Sequence, residues 1–77
     1  MKDLELLKII ETKMPFEGKA YLDSDLFNDL GFDSALLLDL IVSIEEQNGF
    51  YFSDENLYSD RINTPRKILE MIQKSQL

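Results

Sequence analysis

The residues with the most chemical promise stand together at Gly31-Phe32-Asp33-Ser34. Here a loop rich in turn formers gives way to an apolar run with helical spacing. A serine hydroxyl beside a carboxylate can be a nucleophile or simply a helix cap. The chain has no histidine and no cysteine. Ser–His and Cys–His nucleophilic pairs are therefore excluded, as are disulfides and Cys/His metal sites. The side chain that most often moves protons near neutral pH is missing. Carboxylates could bind a hard cation, but no EF-hand loop pattern is present. No catalytic residue and no metal site is assigned. Taken alone, Gly-x-Asp-Ser is a weak signal, because a serine at such a junction is usually a cap.

The elements that must position this junction are helical. Leu4, Leu7, Ile10 and Met14, backed by Leu6 and Ile9, predict an amphipathic helix over Lys2 to Met14. Pro15 stops it. Residues 15 to 33 form a long connection with turn formers at Gly18, Asp23-Ser24-Asp25 and Asn28-Asp29. Leu22, Leu26, Phe27 and Leu30 should anchor it to the core, with a short helical turn near Asp25 to Asp29. A loop this long in a small domain is usually functional or disordered, and its apolar anchors argue for function. A second helix should run from Ser34 to Asn48, capped by Asp33 or Ser34 and ended by Gly49.

Phe50-Tyr51-Phe52 reads as a strand in isolation, but no second strand-like run exists to pair with it. Ser53-Asp54 looks like the cap of a short third helix through Leu57 and Tyr58. Asn63-Thr64-Pro65 is a strong start signal for a last helix from Pro65 to about Lys74, burying Ile68, Leu69 and Ile72. The expected fold is all-α: one domain over residues 1–77, a small four-helix bundle of three longer helices and a short third one.

Composition bounds the rest. A chain of 77 residues buries only ~60% of its unfolded surface. At 44% hydrophobic it still has material for one core. The net charge of −7 repels nucleic acid and anionic lipid and attracts basic partners. The plainer reading of that charge is solubility alone. No run approaches the ~20 apolar residues of a membrane span. Met1-Lys2-Asp3-Leu4-Glu5 carries acids where a signal peptide needs a basic start. A cytoplasmic monomer is expected.

The second helix has two apolar sides. On a wheel of about 100° per residue, Leu37, Leu40, Ile41 and Ile44 cluster as the ordinary core stripe. Ala35, Leu38 and Val42 cluster nearly opposite, bordered by Asp39, Glu45 and Glu46. A helix patterned this way is either buried all round or meets a partner. So small a chain cannot easily surround it, which favours a partner face. The bordering carboxylates would then meet basic residues and steer the encounter.

The run Asp29-Leu30-Gly31-Phe32-Asp33-Ser34, followed by an apolar helix ending Ile44-Glu45-Glu46-Gln47, resembles the acyl and peptidyl carrier protein family. The likeness extends over nearly the whole chain, with each helix in the family's order and spacing. It implies a covalent 4'-phosphopantetheine arm on Ser34, added from coenzyme A by a phosphopantetheinyl transferase, with Asp33 assisting. The arm's thiol would carry cargo as thioesters, so a chain without cysteine does thiol chemistry while catalysing nothing itself. A helix N-terminus suits such a phosphodiester. The second helix would be the main recognition helix, read by loading and condensing enzymes with basic patches.

Ala35 stands where the family usually has Leu or Ile, Leu36 and Leu37 where many fatty acid carriers have polar residues, and Asn48 where an aromatic is common. These departures point to specialised polyketide or fatty-acid-like synthesis. An aminoacyl carrier is the alternative, of the D-alanyl or free-standing peptidyl kind. The Asn63-Thr64-Pro65 start resembles D-alanyl carriers, but the Ala35-Leu36-Leu37-Leu38 run does not. An unmodified helical adaptor is a third reading. Leu26, Ile44, Phe52, Leu57 and Ile62 should line the interior where family carriers shelter cargo, and their bulk predicts little preformed tunnel.

Overall fold

The computed structural model describes residues 1–49, 51–52 and 61–75. Among them are three helices and no strand: α1 (Asp3–Lys13), α2 (Ser34–Asn48) and α3 (Pro65–Ser75). The all-α expectation holds. The short third helix expected near 54–59, and with it the four-helix count, lies outside the described residues.

Pro15 sets the end of α1. Met14 is extended, at φ −62° and ψ 144°, as a residue before proline must be. Asp3 and Glu5 in the first turn and Lys13 in the last complement the helix dipole. The buried stripe differs from the one the sequence suggested. Leu6, Ile10 and Met14 face the core, and Leu7 and Ile9 pack beside them. Leu4 is 68% exposed. It lies two residues, or about 160° round the helix, from Leu6, so both cannot face inward.

On α2, Leu37, Leu40, Ile41 and Ile44 are buried, as the wheel predicts. Gly49 adopts the left-handed conformation at φ 69°, and its N–H donates to the Glu45 carbonyl. α3 opens as Thr64-Pro65 implies: Thr64 Oγ1 accepts from the Lys67 N–H at 3.2 Å. Ile68, Leu69 and Ile72 are buried.

The long connection is built, not slack. Asp25 Oδ1 accepts from the Phe27 and Asn28 amides at 2.9 and 2.8 Å. Asp29 Oδ2 accepts from the Asp25 N–H at 2.8 Å. Together they close the expected helical turn. Two backbone bonds tie the connection to the start of α3, Leu26 N–H to Asn63 O and Arg66 N–H to Leu22 O. Arg66 also grips Asp23 with two nitrogens, at 2.7 and 3.0 Å. That hydrogen bonding holds the Asp23 carboxyl below its usual value. Leu26 and Leu30 are fully buried, while Leu22 and Phe27 pack partly against the core. Ala20 and Phe32 join them. Phe52 and Ile62 are buried too; Leu57 lies outside the described residues.

The two faces of α2 give a direct test. Leu40→Ala or Ile44→Ala should cost about 2–5 kcal/mol. Leu38→Glu or Val42→Glu should stay within about 0.5 kcal/mol, as exposed changes do. Urea denaturation measures all four. A larger loss at Leu38→Glu would mean that the faces are reversed.

Candidate functional site

The junction before α2 is a turn with a defined shape. Gly31 has φ 72°, a conformation open to glycine and strained for other residues. Phe32 is buried, and its N–H donates to the Leu26 carbonyl at 2.8 Å. The chain is thus pinned just before it reaches Asp33. The sequence left two candidates for the cap, and the structure assigns one. Asp33 is extended and its Oδ1 accepts from the Leu36 N–H at 2.8 Å. Ser34 is the first helical residue, exposed to solvent.

This division leaves the Ser34 hydroxyl without the capping task. The N–H groups of the first helical turn have no carbonyl one turn back, and Asp33 takes only one of them. The first turn of α2 holds no acidic residue. An anionic group joined to Ser34 would meet helix-end N–H groups and a favourable dipole. The Asp33 carboxylate stands next to it, directed at the Leu36 amide. The arrangement therefore fits a phosphodiester at Ser34.

The second apolar stripe of α2 is open. Leu38 is 57% and Val42 49% exposed, and Ala35 is exposed beside them. The carboxylates around the stripe are less free than the sequence suggests. Asp39 Oδ2 lies 3.2 Å from Lys13 Nζ on α1. Glu45 Oε2 accepts from the Phe52 N–H at 2.8 Å. Glu46 is exposed. Neither engagement follows from local spacing, because each pairs residues from different segments.

A family model described as the phosphopantetheine attachment site matches residues 5–72. The chain belongs to this carrier family. Curated relatives agree. An acyl carrier protein of Coprothermobacter proteolyticus is 38% identical over 72 residues, covering 92% of this chain and 85% of the relative. An acyl carrier protein of Buchnera aphidicola, strain Tuc7, is 36% identical over 80 residues, covering all of this chain and 98% of the relative. Members of the family are carriers and not catalysts, and 4'-phosphopantetheine is their covalent prosthetic group.

The geometry separates the cap from the hydroxyl. Asp33→Ala should cost about 1 kcal/mol, the usual loss for an N-cap. Ser34→Ala should stay within about 0.5 kcal/mol. Equal losses in chemical denaturation would return the capping role to Ser34.

Proposed function

We propose that this chain is a discrete acyl carrier that holds biosynthetic intermediates on a phosphopantetheine arm at Ser34. One observation carries the reading: Ser34 is exposed at the first position of α2 while Asp33 supplies the cap. When bound, the group supplies a thiol that holds cargo as a thioester. The protein's own part is to present the hydroxyl in one place and accept a phosphodiester at a helix N-terminus. Asp33 fixes the first turn and stands beside the oxygen being modified.

The acyl carrier relatives support acyl over aminoacyl cargo. The apolar run Ala35-Leu36-Leu37-Leu38 supports specialised polyketide or fatty-acid-like synthesis. Partners are then a phosphopantetheinyl transferase and loading and condensing enzymes. Among the described residues, no helix is long and apolar enough to cross a membrane. The reading is completed by a single carrier domain, acting as a monomer in the cytoplasm.

Modification is tested by incubating the chain with coenzyme A and a broad-specificity phosphopantetheinyl transferase. Intact mass should rise by one phosphopantetheine, mapping to Ser34. Ser34→Ala should remain unmodified with its helix content unchanged. An unmodified wild type, or a modified alanine variant, would sink the reading.

Partner recognition is expected on Ala35, Leu38, Asp39, Val42, Glu45 and Glu46. Because Lys13 and the Phe52 amide engage two of the three carboxylates, apolar contact should dominate. Leu38→Glu should weaken transferase binding by about tenfold or more, the worth of one buried leucine side chain. Lys13→Ala frees Asp39 and should steepen the salt dependence of binding. An unchanged salt slope with Lys13→Ala, or full affinity with Leu38→Glu, would place recognition elsewhere.

A further inference from the structure

Asp33 does not hold the junction alone. A Cβ on Gly31 would stand 3.0 Å from Pro15 Cγ and 3.4 Å from Phe16 Cε1. The segment just after α1 therefore packs directly on the turn that leads to Ser34. The same ring reaches a second glycine. A Cβ on Gly18 would stand 3.2 Å from Phe16 Cε2 and 3.5 Å from Met14 Cε. One edge of Phe16 thus lies along Gly31 and the other along Gly18.

The ring's position is fixed from behind. Met14 is buried, and its extended backbone is set by Pro15. Leu6 and Ile10 anchor the helix from which the segment emerges. Yet Phe16 is 50% exposed, which makes the ring a poor contributor to the core. Two glycines lie along its edges, one of them three residues before Ser34. Three residues span at most about 10 Å of chain, so the turn that the ring touches lies within that distance of Ser34.

We propose that Phe16, seated with Pro15 on Gly31, is a positioning residue for modification at Ser34. The pair lies against the Gly31 turn, which stays exposed to solvent. The next residue, Phe32, is buried, so the turn has an apolar contact at Gly31 and a core anchor beside it, a two-point grip. That grip delivers Asp33 to the Leu36 amide and Ser34 to the first helical position. Phe16 acts through Gly31, without touching the reacting phosphate. This inference rests on the reading of Ser34 as the attachment point.

The test is steady-state transfer from coenzyme A by a broad-specificity phosphopantetheinyl transferase, with the full chain as the varied substrate. Phe16→Ala should lower kcat by about tenfold, the scale of a modest misplacement of a reacting group, with KM within about twofold. Amide exchange at Leu36 should quicken while exchange at Ile10 and Ile44 holds. Phe16→Leu should recover most of kcat. If Phe16→Ala does not fold, Pro15→Ala carries the same comparison, lowering kcat more than it raises KM.

A raised KM at unchanged kcat would make the ring a docking contact and overturn the proposal. So would unaltered kinetics, or a loss of kcat matched by faster exchange throughout the core. An unmodified wild type would strike the Ser34 reading itself. A modified wild type with indifferent variants would strike only the role of Phe16.

Discussion

Burial of the Leu6–Ile10–Met14 stripe of α1 is the constraint on which the rest depends. Both α2 and α3 pack against α1, and they do not pack closely against each other. Three helices arranged this way leave apolar faces of α2 and α3 without a helical neighbour among the described residues. The long connection fills that space with Leu26, Leu30 and Phe32, helped by Phe52 and Ile62. The loop is therefore ordered because the core is incomplete without it. Its order places Gly31 and Asp33, and through them Ser34. The position of the Ser34 hydroxyl is a consequence of packing that reaches back to α1.

Among the described residues, several carboxylates are put to local use. Asp25 and Asp33 cap backbone turns, and Glu11 accepts from the Ala20 N–H at 2.9 Å. Glu45 holds the Phe52 amide, Asp23 holds Arg66, and Asp39 faces Lys13. A buried or half-buried amide in a loop needs an acceptor, and helices cannot supply one there. Carboxylates do so in a chain whose connections are long. The net charge of −7 still shapes long-range encounter. It overstates the number of carboxylates free to bind a basic partner at close range. Exposed pairs such as Lys13–Asp39 are worth only about 0–1 kcal/mol, so they reshape recognition more than stability.

Much of this was legible from residue order. Thr64-Pro65 marked the start of α3, Gly49 the end of α2, and the wheel separated Leu37, Leu40, Ile41 and Ile44 from Leu38 and Val42. These signals work because each depends on local backbone chemistry or on a single helical period. The failures have the opposite character. Leu4 fits a three-residue spacing as well as Leu6 fits a four-residue one, and only the partner helices decide which faces inward. Nothing in the residue order singles out Phe16. Its contact with Gly31 joins positions fifteen apart, and no periodicity encodes it. The cap was ambiguous because aspartate and serine are both good caps; only backbone geometry at Asp33 decides between them.

The geometry of α2 sets Ser34 in line with the exposed apolar stripe. Ala35 follows Ser34 directly, Leu38 lies four residues on, and Val42 four beyond that. Residues spaced by four share a helical face, so the hydroxyl stands at the head of the exposed apolar stripe. At 1.5 Å per residue, Val42 is about 12 Å along the axis from Ser34. Under the proposed function, a partner that reads the stripe is aligned with Ser34. The opposite face cannot rotate to blur this alignment, because Leu40 and Ile44 are fully buried. Rigid packing on one side of α2 is thus what makes the other side readable. The turn at Gly31, packed against Pro15 and Phe16, lies just ahead of Asp33 and Ser34, where that helix begins.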